Sequence, residues 1–139
     1  MRFVFLIMKT LHGNLYRLTG GRVGATMARL PVLLLTTTGR KTGKPRTVPL
    51  CFLEDGDAYV LIGSRGGSAQ HPAWYLNLEA HPDVEVQVGS EHRRLRARRA
   101  NPEEADRLWP QILERSPGYG KYRAKTSREI PLVIVRPRA

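Results

Sequence analysis

The 139-residue chain contains a single cysteine, no long apolar run and no acidic residue before Glu54. One cysteine, Cys51, excludes an internal disulfide and most zinc-binding frameworks. No segment approaches the roughly 20 apolar residues of a membrane-spanning helix. The four histidines lack the spacing of metal ligands, so no metal site is predicted. With 41% hydrophobic residues, the composition indicates one globular domain over residues 1–139, placed in the cytoplasm by default.

Positive charge is distributed unevenly along the chain. Residues 1–53 carry nine lysines and arginines, and a second basic block lies at residues 93–99. A formal net charge of +11 implies a polyanionic ligand or a negatively charged surface. Because no zinc-finger, RNP or helix-turn-helix pattern is present, no nucleic-acid partner is expected. A non-enzymatic module that binds nucleic acid or membrane lipid is the alternative from a different functional class.

The N-terminal segment, residues 1–20, predicts an amphipathic helix over residues 3–18. Its apolar side chains lie near one side, with Lys9 and Arg17 among the polar positions. A basic helix with an apolar face can lie on a membrane surface, although packing against the domain is the commoner arrangement. The segment therefore allows a peripheral contact with the inner face of the plasma membrane.

Most of the remaining sequence predicts short strands joined by tight turns. Strands are predicted at residues 32–37, 46–53, 58–64, 84–88, 92–100 and 131–136, and helices at 71–79 and 101–115. Residues 21–31 are predicted as a loop, and Asp55-Gly56 is a preferred hairpin turn. Asn101-Pro102 is a typical helix start. This pattern predicts a mainly β (α+β) fold, a small barrel of about six antiparallel strands with short flanking helices.

A cationic loop follows the first predicted strand. Residues 36–46 read Thr-Thr-Thr-Gly-Arg-Lys-Thr-Gly-Lys-Pro-Arg. Glycines allow main-chain N–H groups to turn toward a ligand, and the cations add charge-assisted hydrogen bonds. The spacing is not that of a Walker loop, and no helix-forming segment follows. The loop therefore predicts an anion site, with an ordinary basic hairpin as the alternative.

Three motifs occur in order along the chain: residues 31–43, the run Ser64-Arg65-Gly66-Gly67, and the run Trp74-Tyr75-Leu76-Asn77-Leu78. Together they resemble the deazaflavin-dependent nitroreductase family, which includes actinobacterial quinone reductases that use reduced coenzyme F(420). The resemblance extends from about residue 11 to residue 137. It implies a split β-barrel. It also implies an oxidoreductase that transfers a hydride from reduced deazaflavin to a quinone-like or other electron-poor acceptor.

The resemblance further implies which residues bind the cofactor, whose planar ring carries a phosphodiester and a γ-linked glutamate tail. The residues at matching positions are Arg40, Lys41, Thr42, Gly43, Arg46, Pro49, Ser64, Arg65, Gly66, Gly67, Trp74 and Asn77. Those of the cationic loop match the phosphate region, and Ser64 and Arg65 match the strand end beside the reactive ring. Trp74 and Asn77 are three residues apart, so on a helix they share a face.

Ser64, Tyr119 and Tyr122 are the predicted catalytic residues. In nitroimidazole-activating members of the family, three tyrosines spaced three apart precede the last strand. Tyr119 and Tyr122 match the second and third, whereas Ser116 stands at the first. Cys51 occupies a strand position that is often aromatic in such members. We therefore expect the two tyrosines to contact a quinone-like acceptor as part of a glycine-rich lid, and we expect weak nitroimidazole reduction.

FMN is the alternative cofactor, because related split barrels use it. The intact cationic loop, together with Trp74 and Asn77, favours F(420) instead. The residues predict no particular oligomeric state.

Overall fold

The computed structural model describes residues 26–27 and 30–137. The helix predicted at residues 3–18 lies outside these ranges, so its prediction stays open. The loop predicted at residues 21–31 is described in part. There Thr26–Met27 forms a short strand, β1, which pairs with Leu30 and Pro31 and thus corrects the loop prediction locally.

Six further strands close into an antiparallel barrel, as predicted. They are β2 (Leu30–Thr38), β3 (Pro45–Asp55), β4 (Ala58–Ile62), β5 (Asp83–Val88), β6 (Glu91–Arg99) and β7 (Leu132–Arg136). Neighbours follow the order β2, β3, β4, β7, β6, β5, and a pairing of β5 with β2 completes the ring. Leu35 lies at this closure, opposite Val48 on one side and Val86 on the other.

Three helices lie between and beside the strands. They are α1 (Ala73–Ala80), α2 (Pro102–Arg115) and α3 (Gly118–Lys125). Helix α2 begins with the predicted cap: the Asn101 side chain accepts from the Glu104 N–H at 2.8 Å, and the Glu104 carboxylate accepts from the Asn101 N–H at 3.0 Å. Within the described residues, no helix is long and apolar enough to cross a membrane.

The side-chain alternation of the strands produces two apolar layers. Leu33, Phe52 and Val133 belong to the inner layer, which also contains Trp74 and Tyr75 of α1. The intervening strand residues face outward and pack against α2 and α3. This outer layer includes Val32, Cys51, Ile134, Leu108, Ile112 and Tyr119. Helix α1 therefore packs with the barrel interior, whereas α2 and α3 pack on its outer surface.

Two predicted segments differ from the structure for identifiable reasons. The strand predicted at residues 58–64 ends at Ile62, and Gly63 donates its N–H to the Pro131 carbonyl at 2.9 Å. A Cβ at Gly63 would lie 2.8 Å from the Pro131 Cγ. The strand therefore ends where the chain packs closely against Pro131. The Gly-rich segment predicted as a lid loop instead forms helix α3. Burial of Tyr119 in the outer layer outweighs the low helix propensity of glycine.

Candidate functional site

The loop between β2 and β3 has a compact main chain. The Gly39 N–H donates to the Lys44 carbonyl and the Gly43 N–H to the Gly39 carbonyl, both at 2.8 Å. A Cβ at Gly39 would lie 2.9 Å from the Thr42 Oγ1 and 3.1 Å from the Lys44 carbonyl oxygen, so the close contacts favour glycine there. Gly43 has a φ of 71°, which also favours glycine. The loop is thus shaped by its two glycines.

Asn77 of α1 fixes this loop to the barrel. Its Oδ1 accepts from the Arg40 main-chain N–H at 3.1 Å and from the Arg40 Nη1 at 2.9 Å. Its Nδ2 donates to the Thr37 Oγ1 at 3.2 Å. The Asn77 side chain is buried, so these bonds are little exposed to competition from water. Asn77 therefore connects the helix, the end of β2 and the first cation of the loop.

The loop cations have no acidic partner among residues 30–137. The six ion pairs found there join other residues, and none includes Arg40, Lys41, Lys44 or Arg46. The block at residues 93–99 is different, because four of its arginines are paired. The pairs are Arg93–Glu91, Arg94–Glu85, Arg98–Glu104 and Arg99–Glu129. Of the two basic segments, the loop is the one in which no cation is paired with a carboxylate of the described residues.

The Ser64–Gly67 segment forms a tight turn rather than a strand end. Ser64 leads into a 3₁₀ turn over Arg65–Gly67, in which the Gly67 N–H donates to the Ser64 carbonyl at 2.9 Å. Arg65 has a φ of 46°, and it is the one non-glycine residue with positive φ in the described ranges. Such a conformation is costly for a residue with a Cβ, so the surrounding structure must hold it.

Helix α3 packs directly on this turn. A Cβ at Gly67 would lie 3.0 Å from the Tyr122 carbonyl oxygen and 3.1 Å from the Tyr122 Cα. The contact with the main chain of α3 therefore gives Gly67 a steric reason to be glycine. Tyr122 consequently lies beside the predicted ring-binding turn.

Arg128, which no sequence motif indicated, also binds this segment. Its Nη2 donates to the Ser64 carbonyl at 2.7 Å, its Nε to the Ser68 carbonyl at 2.8 Å, and its Nη1 lies 3.1 Å from the His71 Nδ1. Burial, followed by the nearby Arg65 charge, lowers the pKa of Arg128. Its partners lie 57 to 64 positions away in the sequence, so no local pattern could have indicated the contact.

The two predicted acceptor tyrosines occupy unlike environments. Tyr119 is buried and hydrogen-bonds the Cys51 thiol. Burial, and then this neighbour, raise the pKa of Tyr119, and burial raises the pKa of the Cys51 thiol. Tyr122 is 38% exposed and lies edge-on to Tyr119, with ring centroids 5.5 Å apart and planes at 83°. Tyr122 is therefore the one of the pair that a molecule from solvent can reach.

The other predicted site residues are more scattered. Trp74 is buried beside Tyr75, and it shares the buried side of α1 with Asn77, as the spacing predicted. Pro49 lies on β3 opposite Leu34. A cavity of about 530 Å³ opens at the base of the loop, and Gly43 contributes to its lining. Two carboxylates, Asp83 and Glu85, line it with one arginine, Arg94, so this cavity is less suited to an anion than the loop itself.

Comparisons with known proteins identify the family of the chain. The sequence pattern of the F(420)H(2)-dependent quinone reductase family matches residues 8–137. The chain belongs to this family. It is 42% identical over 138 residues to the F(420)H(2)-dependent quinone reductase Rv1261c of Mycobacterium tuberculosis, which covers 96% of this chain and 93% of the relative.

Solved structures show the same fold. One, described as the F(420)-H2 dependent reductase FDR-A, superposes with a TM-score of 0.70 at 42% identity and covers 76% of this chain and 94% of its own. Another, described as a domain-swapped dimer, has a TM-score of 0.73 at 35% identity and covers 98% of this chain and all of its own. The predicted split barrel, the deazaflavin-dependent oxidoreductase class and coenzyme F(420) are thereby confirmed, and FMN is not needed as an alternative.

Proposed function

We propose that the chain binds reduced F(420) along the β2–β3 loop and the turn at residues 64–67, and reduces a quinone-like acceptor beside Tyr122. The supporting observation is the loop that Asn77 fixes through Arg40, whose cations lack a carboxylate partner among residues 30–137. A fixed cationic loop suits an anionic ligand because few groups need to reorganise when it binds.

The loop offers the phosphate region of the cofactor several kinds of donor. The main-chain N–H groups of Lys41 and Thr42 have no acceptor within the described part of the chain. The Thr42 hydroxyl accepts from the Lys44 N–H at 3.2 Å and keeps its own proton to donate. The side chains of Lys41 and Lys44 are exposed and add charge, as does that of Arg46 at the start of β3. N–H groups, a hydroxyl and cations in and beside one loop form the donor set that a phosphodiester requires.

The turn at residues 64–67 is proposed to flank the ring. When bound, reduced F(420) supplies a hydride and a proton, which convert a quinone to a quinol. The role of the chain is then to orient the reactants and to limit the access of water. Ser64 is buried, and its carbonyl is held by both the Gly67 N–H and Arg128. The turn is therefore rigid enough to define one face of a ring site.

Tyr122 is proposed to act on the acceptor. Its main chain lies against Gly67 of the turn and its side chain is exposed to solvent. A phenol can stack on a flat quinone and donate to an oxygen that gains negative charge. Tyr119 supports the Tyr122 ring from the side and binds Cys51 with its own hydroxyl. The proposal therefore separates the two tyrosines into an acceptor contact and its support.

The peripheral membrane contact predicted for residues 3–18 is part of the same proposal. The absence of acidic residues before position 54 leaves this end of the chain suited to an anionic surface.

The proposal is tested with purified protein, F(420), FMN and the soluble quinone menadione. Fluorescence titration should show saturable binding of F(420) and much weaker binding of FMN. Oxidation of reduced F(420) should then depend on both enzyme and menadione. Tight FMN binding without F(420) binding, or F(420) binding without quinone reduction, would contradict the proposal.

A further inference from the structure

Arg128 joins three points of the segment that connects β4 to helix α1. Its guanidinium donates to the carbonyls of Ser64 and Ser68 and contacts the His71 ring. A planar guanidinium presents its donors in a fixed fork, so it can hold these groups in a defined mutual arrangement. The side chain is partly buried, and its Nε and Nη2 contacts of 2.8 and 2.7 Å are short. The segment is thus fastened at its start, its middle and its end.

The fastened segment has a conformation that needs external support. Arg65 and Gly67 both have positive φ, at 46° and 79°. The turn's own main-chain bonds run from the Gly67 N–H to Ser64 and from the Ser68 N–H to Arg65. Arg128 binds the carbonyls of Ser64 and Ser68, directly at the two ends of this turn. Without Arg128, fewer contacts hold Arg65 in its strained conformation.

We infer that Arg128 is a positioning residue, which holds the turn at residues 64–67 in the geometry needed beside the bound cofactor. This inference rests on the proposed function, because that proposal places the turn against the ring. The β2–β3 loop is fixed independently through Asn77, so the phosphate region keeps its own support when Arg128 is lost. Removing Arg128 should consequently affect turnover more than cofactor affinity.

His71 completes the clamp and connects it to α1. Its Nδ1 faces the Arg128 Nη1, which can only donate, so the ring must present an unprotonated nitrogen there. The ring also packs on Tyr75, with centroids 4.9 Å apart, and the charges of Arg99 and Glu79 act on it. The neutral ring is therefore the form that supports the clamp.

The first test uses the protein without cofactor. In Arg128→Met, the amide protons of Gly67 and Ser68 should exchange with solvent about tenfold faster, because the turn opens more readily. Exchange in the barrel strands should stay near wild type. The control is Arg107→Met, which removes another long-range arginine clamp, with two bonds of 3.0 Å to Asp55. Unchanged exchange at both amides in Arg128→Met would overturn the inference, whatever the protein binds.

The second test measures kcat and the F(420) dissociation constant separately. We expect kcat of Arg128→Met to fall about tenfold or more while the dissociation constant changes less than about threefold. Arg128→Lys keeps the charge but not the planar guanidinium, so its kcat should lie between those of the wild type and Arg128→Met. It replaces the methionine variant if that variant does not fold. Wild-type kcat in the substituted protein, or an equal loss of affinity, would overturn the inference. Failure of the wild type to bind F(420) would instead refute the proposed function.

Discussion

Arg40 and Asn77 are joined by two hydrogen bonds that end on one oxygen, the Asn77 Oδ1, at 3.1 Å from the Arg40 N and 2.9 Å from its Nη1. The pair links a solvent-exposed loop to a buried position of helix α1. Asn77 thereby holds the anion site against helix α1, in addition to any contact of its own with a ligand.

Asn77→Ala should weaken F(420) binding about tenfold, because the loop loses its anchor and must be ordered by the ligand. Gln87→Ala is the matched control. Gln87 is also a buried amide, and its Nε2 donates to the Gly89 carbonyl at 2.9 Å. Fluorescence titration compares the two variants. Equal effects from both would mean that lost stability, not loop geometry, governs binding.

Tyr122→Phe should lower the turnover of menadione several-fold and leave F(420) affinity nearly unchanged, because the phenol is proposed to donate to the acceptor. Tyr119→Phe should instead lower the free energy of unfolding by about 1 kcal/mol, since it loses the bond to Cys51 in a buried site. Steady-state kinetics and denaturant unfolding measure the two effects. Normal quinone turnover by Tyr122→Phe would assign that ring to packing.

Gly67→Ala should destabilise the protein more than Gly56→Ala. Both glycines have positive φ, at 79° and 62°, so both variants incur the strain of a left-handed alanine. A Cβ at Gly67 also meets the main chain of α3, whereas nothing lies within 4 Å of one at Gly56. The difference in the free energy of unfolding therefore measures the contact between the turn and α3. A larger loss in Gly56→Ala would contradict the close packing described at Gly67.

The free energy of unfolding should decrease as the pH falls below neutral, partly because His71 becomes protonated. Burial, followed by the charge of Arg128, lowers the pKa of this imidazole from its ordinary value of 6.5. The unfolded chain then binds a proton at a higher pH than the folded protein, so this contribution is complete above pH 6.5 and is lost as pH falls toward the lowered pKa. Urea unfolding from pH 7.5 to 5 should show a shallower decline for His71→Gln. An identical decline in both proteins would rule out His71 as a source of the pH dependence.

Much of the fold could be predicted from local patterns. The capped helix at Asn101 and the Asp55-Gly56 turn depend on neighbouring residues, and the structure contains both. Helix α3 was missed because Gly118 and Gly120 predict flexibility, whereas burial of Tyr119 depends on distant strands. Tertiary packing decided the conformation of that segment.

The candidate site was predicted in part, for a similar reason. Family resemblance identified the loop, the turn and the face of α1, but not the bonds between them. The Arg128 clamp and the Arg40–Asn77 pair join residues 37 to 64 positions apart, and no spacing rule describes such contacts. The ion pairs that four arginines of residues 93–99 form with carboxylates could not be predicted from the sequence either. That pairing distinguishes the two basic segments, which look alike in sequence.

The central claim, that the β2–β3 loop is a shaped anion site, is tested most directly by a pair of charge reversals. Lys41→Glu and Arg96→Glu change the net charge equally, and both side chains are exposed. Fluorescence titration of F(420) at moderate salt should show an affinity loss of about ten- to a hundred-fold for Lys41→Glu, and little change for Arg96→Glu. The loss should shrink as the salt concentration rises. Equal losses in the two variants would contradict the account, because overall charge would then govern binding.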